Sequence, residues 1–139
     1  MTEFRTEREC TEHLGLTLAH RGYMVQYEVP FLSGNADLVA IRGDLVLAFE
    51  VKLRDHRKAL SQAVKHLLFA DRVYVALPAG RTNNLTWEAG ERFGIGLVGV
   101  GPGMVIFAES RPSSAPSPRQ RARVIAGFRE RWRTQSCLT

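Results

Sequence analysis

Apolar and polar positions alternate along this chain with two different periods, and the switches between them divide it into elements. Residues 3–21 repeat at the helical period: Phe4, Glu7, Thr11, Leu14, Gly15 and Leu18 share one face, and Arg21-Gly22 closes the helix. From Tyr23 to Phe31 the period is two, with Tyr23, Val25, Tyr27 and Val29 on one side and Met24, Gln26 and Glu28 on the other. Two strands rich in Val, Ile, Leu and Phe follow, joined at Gly43-Asp44 in the manner of a tight hairpin. After the basic segment 53–58 a helix is predicted to about Ala70, burying Leu60, Ala63, Val64, Leu67 and Leu68 and leaving Gln62 and Lys65 outside that stripe. A strand from Arg72 stops at Pro78, parallel to the preceding one because a helix intervenes. Another helix is predicted over 82–93, capped by Thr82 or Asn83, with Leu85, Ala89 and Phe93 inward. Short strands 95–100 and 104–108 flank Gly101-Pro102-Gly103.

The hairpin carries the chemistry. With Gly43-Asp44 as the loop, Arg42 faces Leu45, and antiparallel pairing sets Asp37 across from Glu50. Facing side chains have Cβ atoms roughly 4.5–5.5 Å apart. Lys52, two residues beyond Glu50, falls on the same face. The strands are apolar on both faces: Leu38, Ala40, Leu45, Leu47 and Phe49 on one, Val39, Ile41, Val46 and Ala48 on the other. Such a sheet is covered on both sides. Two carboxylates at its rim raise each other's pKa, which a divalent cation with oxygen ligands relieves. The simpler alternative is a structural ion pair between Lys52 and one carboxylate. On the first helix Glu7 is the acid of the buried stripe, with Glu9 and Glu12 as alternatives.

At 139 residues with 45% hydrophobic content, the chain suits a single core of ordinary size. No apolar run approaches a membrane span, and the N-terminus lacks signal-peptide character. Cys10 and Cys137 fit no zinc spacing and read as reduced thiols of a cytoplasmic protein, and the four histidines form no ligand pair. Charge divides the chain more sharply. Residues 1–110 hold 12 Lys and Arg against 13 Asp and Glu, whereas residues 111–139 hold seven Arg against Glu130 alone. This partition suggests a domain over 1–110, a Pro/Ser-rich linker over 111–118 and a basic amphipathic helical tail over 119–139, with Val124, Ile125, Phe128 and Trp132 as its apolar side. That stripe could dock on the domain, dimerise or stay exposed beside nucleic acid. The arginines suit a phosphate-rich partner, and equally a solvated terminal helix.

The order helix, three strands, helix, strand, with Asp37 opening the second strand and Glu50-Val51-Lys52 ending the third, resembles the PD-(D/E)xK nuclease superfamily. The resemblance covers roughly residues 6–78. Asn35-Ala36-Asp37 is similar to the family's first motif, with Ala36 where a Pro often stands. Glu50-Val51-Lys52 is similar to the second, Thr6-Glu7 to the acid of the first helix, and Gln62-Ala63 to the Gln of the following helix. The resemblance implies a restriction-endonuclease-like α/β fold, an αβββαβ core with a mixed sheet between helices. It also implies a nuclease that takes one or two Mg²⁺ or Mn²⁺ ions through Asp37, Glu50, the Val51 carbonyl and Glu7. Lys52 would position water or stabilise charge on the phosphorane, and Gln62 would orient water or the nucleic-acid backbone. Its expected substrate is DNA, branched or single-stranded forms included, with RNA open as well, and a homodimer would present two sites to two strands. The alternative is a nucleic-acid-binding or protein-interaction module on the same fold that does not turn over.

Overall fold

The computed structural model describes residues 4–82, 85–114 and 116–137. The predicted helix start at residue 3 and the cap candidate Asn83 lie outside them, as does the side chain of Cys137. The chain runs α1 (Glu7–His20), β1 (Met24–Phe31), β2 (Gly34–Arg42), β3 (Leu45–Val51), α2 (His56–Ala63), β4 (Arg72–Pro78), α3 (Glu88–Phe93), β5 (Gly96–Val100), β6 (Met104–Ala108) and α4 (Pro118–Cys137), with short 3₁₀ turns at Val64–Leu68 and Ala79–Arg81. The architecture is α/β. One six-stranded mixed sheet, in the order β1-β2-β3-β4-β5-β6, is flanked by helices. β1, β2 and β3 are antiparallel, β3, β4 and β5 parallel, and β6 returns antiparallel.

Both faces of the sheet are covered, as the two-sided apolar strands require. On one face α1 sets Cys10, Leu14 and Leu18 against Leu38, Ala40, Leu47, Phe49 and Val51. The Thr6 hydroxyl accepts from the Glu9 N–H at 3.0 Å to start this helix. Gly15 lets it lie close to β1, since a Cβ there would come within 2.1 Å of the Tyr27 hydroxyl. On the other face, Val39, Ile41, Val46 and Ala48 meet α2, Trp87 and α4. The hairpin turn holds as read: Arg42 pairs with Leu45, and Gly43 takes φ +60°, a conformation glycine adopts without a Cβ clash.

The basic C-terminal helix is docked on the sheet. Val124 and Phe128 are buried in the same core as Val39 and Ile41. Gln26 donates to the Phe128 carbonyl at 2.7 Å and accepts from Arg131 at 2.9 Å. Arg121 pairs with Asp71 at 2.8 Å and donates to the Asp44 carbonyl at 2.5 Å. Of the seven arginines after residue 110, Arg121 and Arg131 therefore hold the helix in place, while Arg119, Arg123 and Arg129 remain exposed.

Three expectations from periodicity are corrected. Val29 does not stay with Tyr23, Val25 and Tyr27. Glu28 adopts φ +51°, which turns the strand over, so that Val29 and Phe31 join Gln26 on the α4 side. The helix predicted to Ala70 is α-helical only to Ala63 and then tightens to 3₁₀. Three residues per turn bring Leu60, Ala63, His66 and Phe69 onto one line, all buried, and leave Leu68 outside at 41% exposure. The helix predicted over 82–93 shrinks to Glu88–Phe93. Trp87 takes the buried place, donating from its indole N–H to the Ile95 carbonyl at 2.8 Å, while Ala89 and Phe93 face solvent.

Candidate active site

The site sits where two neighbouring strands part. β1 and β2 stay paired as far as Phe31 and Gly34, and β3 and β4 as far as Val51 and Ala76. The β2–β3 ladder stops earlier, at Leu38 and Phe49. Had it continued, Val51 would have faced Ala36. Instead the Asp37 carboxylate moves in and accepts the Val51 N–H through Oδ2 at 2.8 Å. A side chain thus replaces a backbone acceptor, and the strands fork around it. Side-chain alternation breaks at the same residue, because Ala36 and Leu38 lie in opposite cores.

Glu50 is the residue beside this fork. It is 2% exposed, and its Oε1 lies 2.8 Å from His66 Nε2, in a ring that is 4% exposed and flanked by Phe31 and Phe69. Burial lowers the pKa of His66 to about 4, so at neutral pH the ring is uncharged. With its proton on Nε2, that ring donates to an ionised Glu50. Glu50 Oε2 is buried without a hydrogen-bond partner, as is His66 Nδ1. The group across from Glu50 is another acid: burial, then the nearness of the Glu50 carboxyl, push the Asp37 carboxyl up to about 7. Burial raises Glu50 as well, against the pull of Asp37 and Lys52. Two acids in contact, one of them sealed in the core, want either a shared proton or a cation.

Lys52 does not point to the same place as Glu50. Past the end of β3 it reaches toward α1, where its Nζ lies 3.6 Å from Glu7 Oε1. The expectation that Asp37, Glu50 and Lys52 share one face of the sheet is therefore corrected: they meet at its end, Glu50 turned to the α2 side and Lys52 to the α1 side. A cleft of about 490 Å³ opens here between α1 and the fork, and Glu7, Glu12, Tyr27, Glu28 and Asp37 line it. Asp37 belongs to the cleft wall, and Glu50 stands behind it. Among the α1 acids Glu7 meets Lys52, Glu12 is held by Arg8 at 3.0 Å, and Glu9 is exposed outside the cleft. Gln62 is half-buried on α2 and, among the described residues, makes no hydrogen bond to Asp37, Glu50 or Lys52. The residue of that segment that touches Glu50 is His66, one turn further on. The histidines carried no ligand spacing, and only the change to 3₁₀ winding brings this one inward.

Among the described residues no cluster of three His, Cys, Asp or Glu side chains forms a ready-made metal cage. The donors nevertheless suit a magnesium-like ion, which takes one or two carboxylates and keeps several waters. The bare, buried Glu50 Oε2 beside the Asp37 carboxyl is the observation that fits.

No protein-family model matches the chain, and no curated protein does. In fold it is similar to a solved structure, the SPO1766 protein of unknown function from Silicibacter pomeroyi. The two superpose with a TM-score of 0.73 over 96% of this chain and 90% of that one, at 14% sequence identity. At that identity the likeness speaks for the α/β architecture. Among the described residues no helix is long and apolar enough to cross a membrane.

Proposed function

We propose that this chain is a divalent-metal-dependent nuclease that hydrolyses phosphodiester bonds, in DNA first of all, on a restriction-endonuclease-like αβββαβ core. The observation that carries the reading is the contact of the Asp37 and Glu50 carboxyls at the β2–β3 fork, with Lys52 beside it. Asp37, Glu50 and the Val51 carbonyl would hold one Mg²⁺ or Mn²⁺, and Glu7 a second ion or a coordinated water. When bound, the ion would supply an activated water and charge relief at the scissile phosphate. The chain's own part is to fix the acids. The Val51 N–H holds Asp37, His66 holds Glu50, and the surrounding core excludes water from Glu50. Lys52 would place its ammonium against a phosphate oxygen as negative charge grows there. Its link to Glu7 is long and partly exposed, so it can exchange for a phosphate. The exposed Arg119, Arg123 and Arg129 of α4 offer cations to the nucleic-acid backbone.

A second reading has its own observation. Glu50 already meets His66, and Lys52 already meets Glu7, so both pairs can serve as structural links in a binding module that does not turn over. One assay separates the two. Plasmid, linear duplex, single strand, forked and four-way-junction DNA, with an RNA strand, are incubated with Mg²⁺ or Mn²⁺ beside Asp37→Asn. Metal-dependent cleavage that vanishes in the variant supports the nuclease. Binding without cleavage of any substrate would overturn it in favour of the binding module.

A further inference from the structure

The His66–Glu50 contact joins two buried polar side chains, and the sequence motifs do not account for it. Both side chains are nearly sealed from solvent, and the surrounding rings of Phe31 and Phe69 leave them little room to rotate. Nε2 lies 2.8 Å from Oε1, while Oε2 has no hydrogen-bond partner. One oxygen of Glu50 is thus held against the His66 ring, and the other is left without a partner on the acid whose neighbour is Asp37.

We infer that His66 is a positioning residue that restricts Glu50 to one available oxygen, so that the site takes small six-coordinate cations such as Mg²⁺ or Mn²⁺ in preference to Ca²⁺. This inference rests on the nuclease reading of the same carboxylates. Its physical ground is coordination. Magnesium-like ions need few carboxylate oxygens in strict octahedral geometry, whereas Ca²⁺ takes six to eight oxygens and favours carboxylates that chelate through both. A Glu whose Oε1 is already hydrogen-bonded cannot chelate without giving up that bond and leaving the imidazole N–H unpaired in an apolar pocket. Contacts of this supporting kind typically change metal affinity by about 10–100-fold when removed.

The test is calorimetric titration of the full chain with Mn²⁺ and, separately, with Ca²⁺, in the wild type, Asp37→Asn, His66→Phe and His66→Gln, after circular dichroism has verified folding. His66→Phe keeps an aromatic ring among Phe31 and Phe69 but has no donor, whereas the Gln amide can still donate. The wild type should bind Mn²⁺ at least about tenfold more tightly than Ca²⁺, and Asp37→Asn should lose the heat. In His66→Phe, Mn²⁺ affinity should fall by about 10–100-fold and the Mn²⁺/Ca²⁺ preference should shrink. His66→Gln should keep most of that preference. Equal affinity for the two ions in the wild type, or an unchanged preference in His66→Phe, overturns this inference and leaves the nuclease reading standing. The wild-type comparison decides alone if His66→Phe fails to fold. No heat with either ion in the wild type overturns both.

Discussion

β3 is held at each end by an aspartate that does the same thing to the backbone. At its start Asp71 accepts the Val46 N–H through Oδ2 at 2.8 Å, and at its finish Asp37 accepts the Val51 N–H through Oδ2 at 2.8 Å. The difference lies in what meets the other side of each carboxyl. Asp71 meets the Arg121 guanidinium at 2.8 Å, opposite charge at a half-exposed position. Asp37 meets Glu50, an acid that is itself buried. The first arrangement is what a fold uses to anchor a helix to a strand. The second costs stability on its own and is sustained by the packing around it, which is the usual signature of a site arranged for something other than stability.

The sharpest way to break this comparison is to neutralise each aspartate in turn. Asp37→Asn should reduce metal-dependent cleavage by about a thousandfold or more, since it removes an anionic ligand while keeping an acceptor for Val51. Initial rates on plasmid DNA measure this. An active Asp37→Asn would remove Asp37 from the chemistry. Asp71→Asn should leave the rate per folded molecule unchanged.

Acid–base linkage separates the fork from the anchor next. Asp37 rises from 3.8 to about 7 on folding, so between those values the folded protein holds a proton the unfolded chain has released, and stability from this group falls as pH rises. His66 moves the other way, from 6.5 to about 4. There the unfolded chain binds a proton the folded one refuses, and stability from this group falls as pH drops through that window. Denaturant unfolding of metal-free protein between pH 4 and 7 should therefore give Asp37→Asn a more positive slope of stability against pH than the wild type. His66→Gln should give a more negative one. Parallel curves for all three proteins would show that these groups are not linked to folding as described.

Smaller effects belong to the anchor and the exposed arginines. Asp71→Ala leaves the Val46 N–H without its acceptor and Arg121 without its counter-charge, and should cost about 1–3 kcal/mol by denaturant unfolding. Replacing Arg119, Arg123 and Arg129 together with Gln should leave stability within about 0.5 kcal/mol. It should also flatten the salt dependence of DNA binding, each lost phosphate contact removing roughly 0.7–0.9 from the slope. An unchanged slope would place the nucleic-acid surface elsewhere.

The hairpin was legible in the sequence because strand periodicity and the Gly43-Asp44 turn define a register with few alternatives, and its pairing from Leu38/Phe49 to Arg42/Leu45 is the one observed. The fork was not legible. A carboxylate that replaces a backbone acceptor leaves no mark on the hydrophobic pattern, so Asp37 and Glu50 could be read as neighbours but not as the place where the ladder ends. His66 was hidden for a different reason. At 3.6 residues per turn Leu67 and Leu68 belong inside, and only a shift to three per turn exchanges Leu68 for the histidine. Val29 was misplaced because a glutamate at positive φ is rare and nothing local announces it. The docking of α4 depends on Gln26 meeting a carbonyl from the far end of the chain, a pairing no local rule can find.

That last contact bears on the order in which the protein can be completed. Gln26 and Phe128 are 102 residues apart in sequence, yet the side of β1 that carries Gln26 is covered by the helix containing Phe128. A ribosome adding about 5–20 residues each second leaves that surface without its lid for several seconds after β1 has emerged. Its apolar positions, Val29 and Phe31 among them, are bare for that interval. Released chains with and without residues 118–137 should therefore differ abruptly in protease resistance, with the docking of α4 as the step that covers this face.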